Sequence, residues 1–174
     1  MKAIIPLLLF LTAGFSINAQ TKKAPLPVLK AAIILRIVEL EENIATSKRD
    51  LNIYVLGAPL LAEGLQALVG KRVGVAKLGK VTFGDELPEE RPDIIFVGTS
   101  RRINEVIRYT RRNKVLSITD RADVFQRGIS VSILTERNRP KISLNPAASV
   151  EEGLNWQLDF RMFRNMVLEF RKPD

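Results

Sequence analysis

The 174-residue chain contains no histidine and no cysteine. Without them, serine–histidine and cysteine–histidine catalysis are excluded, and so are ordinary zinc and haem sites. Disulfides are excluded too, so a buried core has to hold the fold. Metal could bind only through oxygen, and no EF-hand spacing is present, so neither a metal nor a cofactor is expected. Aromatic residues are few, 6% of the chain. They are not interleaved with the arginines as a base-stacking platform requires, so the formal charge of +8 does not imply a nucleic-acid partner. No apolar run reaches the ~20 residues that span a bilayer. Gly64 to Arg72 imitates a phosphate-binding loop, but it reads from helix to strand, the reverse of what that mechanism needs.

What is present begins with a leader. Lys2 supplies a basic start, Ala3 to Phe15 is almost wholly apolar, and Ser16-Ile17-Asn18-Ala19 offers a small residue at a cut before Gln20. This is the pattern of a secretory signal peptide over residues 1–19, and it points to an exported protein, soluble after cleavage. Residues 20–27 form a short polar lead-in, and residues 28–174 are long enough for one domain.

Periodicity gives the elements. Val28 to Ile44 reads as a helix apolar on most sides, a pattern of burial or partnering. Strands are expected at Leu51 to Leu56, Arg72 to Leu78, Ile94 to Val97 and Lys114 to Thr119. Helices are expected at Leu60 to Val69 and Arg101 to Arg112, with one turn at Asp120 to Phe125. Ile129 to Leu134 and Pro140 to Leu144 form a hairpin. A long closing helix runs from Pro146 or Val150 to Phe170, with Asn145 as one start signal and Ser149 with Glu152 as a capping box. The fold class is therefore α/β: a single-domain mixed sheet, helices on both faces, a C-terminal hairpin and a long helix.

The remaining carboxylate sets are Asp120 with Asp123 and the run Asp85, Glu86, Glu89, Glu90. Asp120 reads as a helix cap and the acidic run as a solvated loop. No catalytic residue is assigned, and the chain is not expected to be an enzyme. Two features stand out. At Gly98, Thr99, Ser100 and Arg101 a buried strand turns into a helix. The turn reads either as a capped helix with solvated arginines or as a binding site for a small anionic ligand. Gly57 and Asp120 also follow strands, and parallel strands would bring all three positions to one sheet edge. The second feature is the closing helix, whose apolar arc is wide. Trp156, Phe160 and Phe163 either sink into the core or contact a partner, whether another protein or a second copy.

Asn52 to Gly57 (NIYVLG), Lys114 to Asp120 (KVLSITD), Phe125 to Ile133 (FQRGISVSI) and Lys141 to Leu158 (KISLNPAASVEEGLNWQL) together resemble the YfiR/HmsC-like family of periplasmic proteins. Here Ala31 to Leu40 is aliphatic where the family often has aromatic residues. The resemblance implies a non-catalytic regulator that holds an inner-membrane diguanylate cyclase inactive, so that cyclic-di-GMP output and biofilm formation depend on it. The competing reading is a periplasmic anion sensor serving another membrane receptor, such as a sensor kinase.

Overall fold

The computed structural model describes residues 26–136, 139–156 and 167–170. Eight strands form one mixed sheet: β1 (Leu51–Leu56), β2 (Arg72–Val73), β3 (Ala76–Gly84), β4 (Ile94–Val97), β5 (Leu116–Thr119), β6 (Val131–Glu136), β7 (Arg139–Leu144) and β8 (Val167–Phe170). Their order across the sheet is β2-β3-β1-β4-β5-β6-β7-β8. Pairing is parallel from β3 through β1, β4 and β5 to β6, then antiparallel between β6 and β7. The described helices are α1 (Leu26–Val38), α2 (Glu42–Ala45), α3 (Pro59–Gln66), α4 (Ile103–Asn113), α5 (Ala122–Gln126) and α6 (Pro146–Glu151).

Alternation along the central strands explains the two layers. Ile53 and Val55 of β1, Ile94 and Phe96 of β4, and Leu116 and Ile118 of β5 share one core with α1 and α3. Tyr54, Leu56, Ile95 and Val97 face the other way, onto Ile103, Val106 and Ile107 of α4 and Val124 of α5. A strand covered on both faces reads as a continuous apolar run, as β4 does. The expected α/β class, mixed sheet and helices on both faces are all present.

Four local expectations are corrected. The first helix ends at Val38, because Glu41 turns inward and accepts hydrogen bonds from the Ile44 N–H (2.8 Å) and Asn43 Nδ2 (2.9 Å), capping a separate α2. The expected strand at Arg72 to Leu78 is a hairpin instead. Gly74 takes φ +62° at its tip, and β3 runs on to Gly84 through residues expected to be loop. Asn145 does cap α6, accepting from the Ala148 N–H at 3.2 Å, but Ser149 and Glu152 form no capping box. Ser149 instead accepts from the Trp156 indole N–H (3.1 Å).

The long closing helix is the fourth correction. α6 stops at Glu151, and Val167–Phe170 is a strand that pairs in parallel with β7, from Lys141↔Val167 to Leu144↔Phe170. Gly153, at φ +73°, breaks the helix. Trp156 therefore does not ride on a long helix. It makes an isolated bridge to Glu41 and packs half-buried against the α1 side of the core. Phe160 and Phe163 lie outside the described residues.

Candidate functional site

The parallel run β3-β1-β4-β5-β6 brings Gly57, Gly98 and Asp120 to one carboxyl edge of the sheet. The turns there are tied to one another through backbone. Gly57 N–H donates to Gly84 O (3.1 Å), Gly98 N–H to Leu56 O (2.8 Å) and Thr99 N–H to Gly57 O (3.1 Å). The approach is close enough that a Cβ on Gly57, whose φ is +63°, would stand 1.9 Å from Thr99 O.

This stitching changes the character of the Gly98–Arg101 turn. Two N–H groups that a free anion cradle would use are spent on the end of β1. Ser100 Oγ accepts from the Arg102 N–H at 3.1 Å, and α4 starts only at Ile103. Arg102 is drawn into ion pairs with Glu86 (2.5 Å) and Glu105 (3.7 Å). Exposed Thr99 and exposed Arg101 remain available, and Arg101 has no hydrogen-bond or ion-pair partner among the described residues.

Asp120 stands apart from that turn. It does not cap α5, whose N-cap is Arg121, and Asp123 pairs with Arg121 rather than with Asp120. Its carboxylate meets Lys30 Nζ of α1 at 2.5 Å, each side chain roughly 30% exposed. The pair sits at the lip of a cavity of about 350 Å³ walled by Leu26, Pro27, Ala58, Pro59, Leu60 and Leu61. Thr99 and Arg101 do not line it. The edge thus offers two separate features: a free guanidinium on the α4 side, and an apolar cavity with one ion pair on the α1 side. Lys30 went unassigned in the sequence. The signal was a single cation among Val28, Leu29, Ala31, Ala32 and Ile33, which asks for a counter-ion once that helix packs.

The amino edge is built differently. Three acids, Glu41, Asp93 and Glu152, border a polar cavity of about 250 Å³, with Arg49, Arg91 and Lys114 at its rim. Asp93 accepts from both terminal nitrogens of Arg49 and from the Asn52 N–H (2.9 Å). Glu41 is 0% exposed and also takes the Asn155 N–H at 2.8 Å, fixing the C-terminal segment to the α1–α2 junction. Glu152 is 1% exposed. It enters where β5 and β6 have yet to pair, accepting from the Ser117 N–H (3.0 Å), Ser117 Oγ (2.6 Å) and Ser130 Oγ (2.6 Å). Burial raises its pKa, and the hydrogen bonds from Ser117 and Ser130 oppose that rise without cancelling it. All three carboxyl groups are satisfied by the fold itself. Among the described residues no acidic group is arranged to hold a metal, and no helix is long and apolar enough to cross a membrane.

The family model described as YfiR/HmsC-like matches residues 27–159. No curated protein matches the chain significantly. Among solved structures, a 3-hydroxyacyl-CoA dehydrogenase from Archaeoglobus fulgidus is similar with a TM-score of 0.33 and 10% identity, over 71% of this chain. The chain spans only 57% of that structure's length, and a likeness at this level carries no argument about function.

Proposed function

Because the chain belongs to the YfiR/HmsC-like family, whose members are periplasmic regulators, we propose that it represses a membrane diguanylate cyclase from the periplasm without catalysing a reaction. The match over residues 27–159, nearly all of the domain, is the observation that carries this reading. The leader read at residues 1–19 supports export. The lack of histidine and cysteine suits a protein that works by binding. Deleting the gene is expected to raise cellular cyclic-di-GMP and surface attachment, both restored by the intact gene. Unchanged levels in the deletion strain would refute the reading, and so would recovery of the protein from the cytoplasmic fraction with residues 1–19 still attached.

A second reading is favoured by the carboxyl edge, where Arg101 has no partner among the described residues and the Lys30–Asp120 pair guards an apolar cavity. On this reading the protein senses a small anion for another receptor, such as a sensor kinase. Small carboxylates, phosphate and amino acids should raise the melting temperature of the wild type, and Arg101→Ala should abolish the shift. A screen in which no anion stabilises the wild type removes this reading.

A further inference from the structure

The arginines divide by partner, and among the described residues Arg72, Arg101, Arg108, Arg112 and Arg139 have no side-chain partner. Arg36, Arg49, Arg102, Arg111 and Arg121 each pair with a carboxylate. Arg127 donates to Asn104 Oδ1, and Arg91 donates to the carbonyls of Asn113 and Lys114. Arg108 and Arg112 of α4 do none of this among the described residues, and both are exposed. They lie four residues apart, so they share one face of the helix, where like charges repel and weaken it. Arg112 also gains from its place in the last turn, beside the negative end of the helix dipole, but Arg108 lies outside that turn.

Beside them is a shallow groove of about 550 Å³, lined by Leu87, Glu105, Arg108, Tyr109, Arg112 and Asn113. Its floor is half-buried Leu87 and Tyr109. Burial holds the Tyr109 pKa above its ordinary value, so the phenol stays a hydrogen-bond donor. Glu105 already faces Arg102, which Glu86 also claims. Glu89 of the neighbouring loop is exposed, and Arg91, whose guanidinium donates to the Asn113 and Lys114 carbonyls, borders the amino-edge cavity and not this groove. The groove therefore keeps a surplus of guanidinium charge over a small apolar and aromatic floor.

We propose that this groove docks an acidic segment of a partner protein. Two of its carboxylates would pair with Arg108 and Arg112, and an apolar side chain between them would rest on Leu87 and Tyr109. Planar guanidiniums suit bidentate carboxylate recognition. The concavity argues against a flat lipid surface, because the apolar residues form the floor and do not project to insert between acyl chains. The proposal holds whichever receptor the protein serves.

The test uses the full mature chain and a fluorescein-labelled peptide that alternates glutamate with phenylalanine, read by anisotropy. Binding should weaken steeply from about 10 mM to about 150 mM salt, as the screening length contracts. Arg108→Ala with Arg112→Ala should cost about tenfold or more in affinity, which is 1.4 kcal/mol. Arg72→Ala with Lys77→Ala, on the distant β2–β3 hairpin, removes the same net charge and should bind like the wild type. A peptide with glutamine for glutamate should not bind. The proposal fails if the hairpin variant loses as much affinity as the α4 variant, or if the glutamine peptide binds equally. It fails too if vesicles rich in phosphatidylglycerol bind while the peptide does not, or if sedimentation shows only self-association lost in the α4 variant.

Discussion

Glu152 offers the most exacting check on how the domain is held together. Replacing it with Ala would strand the Ser117 N–H and remove the acceptor of the Ser117 and Ser130 hydroxyls in a fully buried site. A buried donor left unpaired costs about 1–3 kcal/mol. The hydroxyls can turn toward other acceptors, whereas the N–H is fixed by the strand, so it sets the minimum. With the packing lost, Glu152→Ala should cost about 2–4 kcal/mol, a large part of a typical stability of about 5–15 kcal/mol. Glu152→Gln keeps an oxygen for the Ser117 N–H and offers its amide NH₂ to Ser117 Oγ, so about 1 kcal/mol or less is expected. The pH dependence adds a second constraint. Burial raises the Glu152 pKa above the ordinary 4.5, so the folded state binds this proton more tightly than the unfolded state. Between the two pKa values the folded state carries more protons, and this group's contribution to stability falls as pH rises through that window. Glu152→Gln cannot titrate, so its stability relative to wild type should improve from pH 4.5 upward. Urea unfolding of all three proteins at several pH values from about 4.5 to 8 measures both effects. The reasoning fails if Ala and Gln cost the same, or if the Gln-minus-wild-type difference does not change with pH.

At the carboxyl edge, Gly57→Ala should cost about 3 kcal/mol or more by thermal melting, since a Cβ there lies 1.9 Å from Thr99 O at φ +63°. Gly70→Ala, with φ +85° but nothing within 4 Å, should cost only about 1 kcal/mol, and equal losses would discredit the close-approach argument. Trp156→Ala should lower stability by about 3 kcal/mol, because the ring packs on the core and its N–H is held by Ser149. A melting point unchanged by that substitution would show the ring to be free of the core. Asp120→Asn should change stability by no more than about 1 kcal/mol, the ordinary range for a partly exposed pair. A larger loss in urea unfolding would mean that Lys30 is far more confined than its exposure suggests.

The sheet was legible because burial writes itself into the strands. The apolar run Ile94 to Val97 reads as a buried central strand, Leu116 to Thr119 lies within an expected strand, and the hairpin at Val131 to Leu144 has polar residues at its turn. The tail misled for a physical reason. Apolar residues at helical spacing through residues 154–167 satisfy a 3.6-residue period, yet Gly153 at φ +73° ends α6, and β7 offers an open edge that Val167–Phe170 joins in parallel. Such long-range pairing leaves no local trace. The inward turns of Glu41 and Glu152 were equally hidden, because a glutamate in a charged stretch reads as solvent-facing until the serines and N–H groups it satisfies are placed around it.

The functional surface shows the same boundary between local and distant information. That Gly57, Gly98 and Asp120 would share an edge followed from strand–turn punctuation once the strands ran parallel. Whether the Gly98 and Thr99 N–H groups were free did not follow, because their acceptors, Leu56 O and Gly57 O, are some forty residues earlier in the sequence. The α4 arginines pose the converse problem. Arg101, Arg102, Arg108, Arg111 and Arg112 look alike in the sequence, all on one short amphipathic stretch. Arg102 and Arg111 are neutralised by Glu86 and Glu151, carboxylates that the fold delivers from a loop and from α6. Arg108 and Arg112 receive none among the described residues. Unpaired charge is a difference between what a segment carries and what the rest of the molecule brings to it. An unneutralised pair on a helix face therefore becomes visible only when the neighbouring Arg102 and Arg111 are seen to be engaged.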